Sequence, residues 1–288
     1  MFQRFSKSIL FAPLLSLLLG GILVSCGDDD NEGNEQNSSS NQNADNGSSD
    51  NSNSRDPTFD GKDKVYIVNG VSFKMIAVKG GTFQMGSNDG YSWEKPIHQV
   101  TLTKGYYIGE TEVTQELWTA VMGSNPSYFS GNTQFPVECV SWNDCQTFIA
   151  KLNALTDETF RLPTEAQWEY AARGGNKSNG FLYSGSNTID DVAWYYEDPV
   201  SKSHPVKTKA PNELGIYDMS GNIWEWCSDW YGEYSSAAQT DPAGSSTGSY
   251  RVCRGGSWGS YAASCRVANR TSYTPTGIAF YHGLRLAK

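Results

Sequence analysis

The chain reads as an α+β protein with low regular secondary structure: a short antiparallel sheet, a few short helices and long irregular loops. Three observations predict this class. Val71 to Val78 alternates apolar and polar side chains and runs into Gly80-Gly81, which reads as a strand and turn. Two capping boxes, at Ser141 and Thr164, each precede an apolar stripe at helical spacing. From residue 176 to the end, Gly, Ser, Asn, aromatics and short apolar pairs dominate, without long periodic runs.

Taken in chain order, the first segment is a targeting signal. Arg4 and Lys7 are followed by an apolar stretch from Ile9 to Leu19, and then by Leu23-Val24-Ser25-Cys26. The apolar stretch is too short and wrongly flanked for a membrane span. Its end resembles the lipobox at which bacterial lipoproteins are cleaved and lipidated, here on Cys26. Residues 1–25 are therefore expected to be a lipoprotein signal peptide. Residues 26–63 read as a lipidated, acidic tether, because no apolar residue recurs there to offset ordering entropy. Residues 27–63 hold ten Asp or Glu against two Lys or Arg, whereas residues 64–288 hold 21 against 18. The low pI thus belongs mostly to the tether, and no basic footprint for nucleic acid exists. The acidic run after Cys26 resembles surface-export signals of some Gram-negative lipoproteins and reads equally as a solvated spacer. An outer-membrane lipid anchor is the expected attachment.

Residues 64–288 have the composition of one compact domain. Val100 to Leu102 and Tyr106 to Ile108 are expected strands. Thr114 caps a helix placing Leu117, Trp118 and Val121 on one side, ended by Gly123. Ser141 opens a helix with the stripe Phe148, Ile149, Leu152 and Leu155. Thr164 opens another with Trp168, Ala171 and Ala172 inward, stopped by Gly174-Gly175. Glu165 and Glu169, one turn apart, read as a solvated or capped face. No fixed-period repeat points to a solenoid or propeller. Five cysteines follow Cys26: Cys139, Cys145, Cys227, Cys253 and Cys265. An exporting compartment favours disulfides, yet an odd count leaves one thiol over in a monomer. Cys227 and Cys253 are a candidate pair. With no CxxC and only three scattered histidines, a zinc site is not expected.

Six strings in order carry a resemblance: Gly80-Gly81-Thr-Phe-Gln-Met85-Gly86, Val140-Ser-Trp-Asn-Asp144, Arg161-Leu-Pro-Thr-Glu165-Ala-Gln-Trp168-Glu-Tyr170, Gly221-Asn-Ile-Trp224-Glu225-Trp226, Arg254-Gly-Gly-Ser257-Trp258, and Gly283-Leu-Arg285. Together they resemble the formylglycine-generating enzyme, or sulfatase-modifying factor, family, whose fold is related to C-type lectins. The resemblance spans about residues 70–288. It implies oxidation of a sulfatase cysteine by oxygen and Cu(I) held between two cysteines, since soft Cu(I) prefers thiolates. Here Ser260 stands where the first cysteine should be, and Cys265 occupies the second position. Copper is therefore doubtful, and Cys265 alone retains thiol exchange. Ser257 matches a serine near the family's reaction centre. The resemblance also implies calcium held by Asp218, Gly221, Ile223 and Glu225 through hard oxygens. The iron-dependent sulfoxide-synthase branch is excluded, because its histidines and extra helical region are missing.

Trp258, Tyr261, Tyr273, Phe280 and Tyr281 sit among small polar residues, the composition of adaptable binding loops. This tail also resembles the variable tail of lectin-fold proteins altered by diversity-generating retroelements. Two classes remain open: a non-catalytic, surface-tethered module binding an unknown protein or glycan, and an oxidase acting through Cys265.

Overall fold

The computed structural model describes residues 59–288. The expected signal peptide, Cys26 and most of the tether lie outside the described residues. Phe59 and Asp60, assigned by composition to the tether, belong to the domain edge. Phe59 packs on Tyr107, with ring centroids 5.2 Å apart, and Asp60 accepts from the Tyr107 hydroxyl at 2.7 Å.

The strands run β1 (Lys64–Val68), β2 (Val71–Val78), β3 (Gly81–Met85), β4 (His98–Leu102) and β5 (Tyr106–Gly109). Helices α1 (Gln115–Met122), α2 (Trp142–Thr156), α3 (Glu165–Ala172) and α4 (Ile189–Val192) follow. Strands β6 (Trp224–Trp230), β7 (Gln239–Thr240), β8 (Arg251–Arg254), β9 (Arg270–Tyr273) and β10 (His282–Gly283) complete the chain. Three small sheets result, in the orders β1-β2-β5, β3-β4-β7 and β10-β6-β8-β9. Most pairs are antiparallel as expected, but β4 with β7 and β6 with β10 are short parallel pairs.

Local chemistry explains most elements. Asn69 and Gly70, both at positive φ, turn β1 into β2, a hairpin signal that the sequence contains and that β1's own pattern hides. The hydroxyls of Thr114, Ser141 and Thr164 accept from Leu117, Asp144 and Gln167 N–H, each closing a helix start. Gly123 ends α1 in the left-handed conformation. The stripe on α2 stops one turn short of expectation. Leu155 is 51% exposed, because the helix overhangs the core at its C-terminal end.

Two large apolar clusters, and a small third one of Tyr183, Val192, Ala193, Tyr195 and Cys265, make the core. One lies between the β1-β2 sheet and α1–α2, where Trp118 stacks on Phe148 at 4.8 Å and 4°. The other surrounds α3 and β3–β4, and holds Trp168. Glu165 and Glu169 are not on a solvated face. Both are buried, Glu165 against Arg270 at 2.7 Å and Glu169 against Arg254 and Arg173. A buried carboxylate persists when it is paired; Arg173 lies at the end of the same helix, whereas Arg254 and Arg270 arrive from strands that are distant in sequence. All five cysteines of the domain are free, so the candidate Cys227–Cys253 bridge is not formed.

Candidate functional site

The tail from Arg254 to Tyr281 folds into a wall of loops over the β10-β6-β8-β9 sheet, and a cavity of about 520 Å³ opens there. Its lining includes Trp258, Tyr273, Phe280 and Tyr281, together with Tyr196, Trp224 and His282. Ser257 and Ser260 line the same cavity. Tyr261 does not; it stands at the rim, 66% exposed, with its ring 4.7 Å from that of Tyr196. None of the lining residues is Asp, Glu, Lys or Arg.

A buried ionic frame positions this wall. Arg285, fully buried, donates to both Glu225 oxygens at 2.6–3.1 Å, to Gly109 O at 2.9 Å and to Tyr217 O at 2.8 Å. Trp168 Nε1 donates to Glu225 at 2.6 Å from the other side. Next to the pair, Glu112 accepts from Ile223 N and from Asn222 Nδ2 at 3.1 and 2.6 Å. Asn222 O in turn accepts from Trp258 N at 2.8 Å. The pocket's main aromatic wall is therefore tied through one asparagine to the frame. Gly256, at φ 79°, lets the chain pass directly over Cys265, where a Cβ would meet the sulfur at 2.7 Å.

The opposite wall is the loop from Trp194 to Lys209. Trp194 stacks on His204 at 3.8 Å and 11°, and the Lys209 ammonium lies 4.2 Å from the Trp194 ring centre. His204 Nε2 lies 2.5 Å from Asp198 Oδ2. These contacts hold Tyr196, whose N–H donates to Ser260 O at 2.9 Å.

The residues read from sequence as catalytic lack the surroundings for it. Ser260 Oγ accepts from Ser257 N at 3.0 Å and lies 3.1 Å from Ser257 Oγ. Among the described residues no histidine or carboxylate bonds either hydroxyl, so neither serine has a base to activate it. Cys265 is fully buried and is not among the residues that line this cavity. Burial pushes its thiol up to about 12, against the opposing effect of the Ser257 and Gly221 N–H groups that face the sulfur. A protonated, enclosed thiol beside a serine does not fit a Cu(I) centre, which needs two accessible thiolates.

The calcium set fares similarly. Glu225 is the counter-ion of Arg285, so a cation would have to displace a buried guanidinium. Asp218 accepts from Lys207 N at 2.8 Å, and burial raises it to about 6. Glu112 is raised well above its usual range, by burial first and then by repulsion from Asp218 and Glu225. Among the described residues no group of three or more His, Cys, Asp or Glu could hold a metal ion. Of the four positions expected to bind calcium, the Glu225 carboxylate is paired with the Arg285 guanidinium and the Asp218 carboxylate with a backbone N–H.

Sequence reasoning missed Tyr196, Trp224 and His282 as lining residues. Tyr196 comes from a loop about 60 residues upstream of the tail and carries no local signal. His282 is the residue before the Gly283-Leu-Arg285 string, and its place at a cavity follows only from the parallel pairing of β10 with β6.

Comparison with known proteins accords with this architecture. A family model described as the sulfatase-modifying factor enzyme 1-like domain matches residues 69–288. The chain is similar to the chaperone protein LppX of Paenibacillus barcinonensis, at 35% identity over 76% of this chain and 90% of that protein. It is 31% identical to the formylglycine-generating enzyme of Streptomyces coelicolor, over 74% of this chain and 88% of that one. Among solved structures, Treponema denticola variable protein 1 superposes with a TM-score of 0.72 at 37% identity, covering 78% of this chain and 98% of that chain.

Proposed function

The chain belongs to the sulfatase-modifying factor, or formylglycine-generating enzyme, family, and we propose that it is a non-catalytic, ligand-binding member of it. One observation carries this reading. At the place where the resemblance calls for two copper-binding sulfurs, the chain has a serine and a buried, protonated cysteine. Directly beside them lies an uncharged aromatic cavity large enough for a ligand of drug size. The names of the relatives agree with such a role: one is a chaperone and another a variable protein, so the fold is not tied to the oxidase activity.

In this reading the protein is a lipoprotein, attached through Cys26 to the outer membrane of a Gram-negative bacterium by its acidic tether. Among the described residues no helix is long and apolar enough to cross a membrane. The likeness to the Treponema variable protein favours a second reading, in which the loops from Trp258 to Tyr281 are diversified among copies of the gene. Sequencing the locus across related strains tests that: substitutions concentrated at the cavity lining support it, and a uniform spread overturns it.

The test of the main reading is chemical. The protein is incubated with oxygen, Cu(I) and a peptide carrying a Cys-x-Pro-x-Arg sulfatase motif, and aldehyde is followed by mass spectrometry. The expected result is none above the peptide control. Aldehyde formation lost on Cys265→Ser would replace the binding reading with the oxidase one.

A further inference from the structure

A second cavity, of about 250 Å³, lies between the start of β4, the end of β6 and the loop after β7, and shares no lining residue with the aromatic one. His98 and Asp229 line it, and each is only 3% exposed. Asp229 Oδ2 accepts from Glu165 N at 3.0 Å and from the Ser228 hydroxyl at 2.9 Å, while Oδ1 accepts from no group among the described residues. His98 Nδ1 lies 3.1 Å from Pro96 O. A carbonyl oxygen only accepts, so Nδ1 carries the proton and the neutral ring keeps its lone pair on Nε2, which has no partner among the described residues. Neither Oδ1 nor Nε2 is among the polar atoms sealed inside the protein, so the little surface these side chains expose opens into the cavity. Gly244, at φ 76°, leaves room beside the carboxylate, for a Cβ there would lie 3.0 Å from Asp229 Oδ1.

The charges around these two acceptors do not balance. Arg270, the one guanidinium in the lining, gives two nitrogens to Glu165 at 2.7 Å each and the third to Gly232 O at 2.8 Å. The Tyr234 hydroxyl also donates to Glu165, at 3.0 Å. Asp229 and the exposed Glu233 are left without a cation among the described residues. Burial first, and then Glu165, hold Asp229 up at about 7, as expected of a carboxylate with no counter-ion.

This arrangement selects by chemistry. An anion would meet Asp229 and Glu233, and an apolar group would leave two buried acceptors unbonded. No group of three or more His, Cys, Asp or Glu among the described residues could hold a metal ion. A guanidinium is best held bidentately, but Asp229 has only one oxygen to offer. A quaternary ammonium has no N–H to give. A primary ammonium carries one positive charge on a compact head with three donors. Two of them match Oδ1 and Nε2, and the third can face the mouth, where Glu233 stands.

We infer that this cavity is a binding site for a primary ammonium group, held by Asp229 Oδ1 and His98 Nε2. The site is separate from the aromatic cavity and does not depend on the reading of it.

The probes are propylammonium, for a free amine, and Nα-acetyl-lysine amide, for a lysyl side chain, with 1-butanol, guanidinium and tetramethylammonium as controls. Binding to the intact protein at pH 8, where Asp229 is ionised, is read from the His98 ring nitrogens and the Trp230 indole N–H in NMR. One of the two amines, or both, should bind with a Kd on the order of 1 mM, and the tighter one names the source. The His98 Nε2 signal should move more than Nδ1. 1-Butanol should bind at least about tenfold more weakly, since it lacks the charge. Asp229→Asn should weaken the amine by at least about tenfold, and His98→Phe by about threefold or more. Glu233→Gln, a change at an exposed side chain that leaves folding intact, should weaken it by about twofold. Binding of neither amine, 1-butanol binding as tightly, preference for guanidinium or tetramethylammonium, or a folded Asp229→Asn that binds as before would each overturn the proposal.

Discussion

Replacing Arg285 by Met tests the frame that positions the cavity. The side chain keeps much of its apolar length but loses the guanidinium, leaving Glu225 buried with Trp168 Nε1 as its remaining side-chain donor. Removing one partner of a buried ion pair costs about 3–5 kcal/mol. The carbonyls of Gly109 and Tyr217 also lose a donor, at about 1 kcal/mol or more each where no water replaces it. These losses are coupled, so about 5 kcal/mol is the expected total. For a domain of this size, at about 2–4 °C per kcal/mol, thermal unfolding should fall by roughly 10–20 °C. The double variant Arg285→Met/Glu225→Leu should recover most of that, because an apolar pair leaves no stranded charge. Calcium and chelators should leave the melting temperature of the unaltered protein unchanged. A fall of less than about 3 °C, or a double variant no better than the single one, would refute the reasoning. A melting temperature that climbs with calcium would refute it equally.

Two further outcomes follow from buried groups. Burial, with Glu165 nearby, raises Asp229 to about 7 from an ordinary 3.8, so the folded state binds a proton that the unfolded state releases. Stability from this group is therefore lost as pH rises from about 4 to about 7, by up to about 4 kcal/mol. Asp229→Asn should gain on the unaltered protein across that window in pH-dependent thermal melts; parallel curves would contradict it. Thiol labelling should distinguish the cysteines: Cys139, half-buried and raised to about 12, should react slowly in the folded protein, and the four buried ones only on unfolding. Rapid labelling of Cys265 in the native state would show that its enclosure is wrong.

Features written locally were legible in the sequence. The caps at Thr114, Ser141 and Thr164 and the left-handed Gly123 depend on neighbours within four residues, and the three helices start, and α1 stops, where those signals stand. Trp258, Tyr273, Phe280 and Tyr281 were recognisable as a group because they share one stretch of small polar residues. What failed depends on distant partners. Glu165 and Glu169 look like a solvated pair until Arg270 and Arg254 arrive, 105 and 85 residues later. Glu225 looked like a metal ligand because its string resembles one, and only packing against Arg285 shows which cation it faces. Tyr196 and His282 reach the cavity through a loop and a parallel strand pair that no periodicity announces.

The central claim is that the Ser260–Cys265 region is not a copper centre. Its most direct test is a Cu(I) titration of the reduced protein against a competing chromophoric chelator, with Cys265→Ser alongside. The structure predicts no equimolar tight site and no difference between the two proteins. A stoichiometric site that disappears with Cys265→Ser would contradict the account.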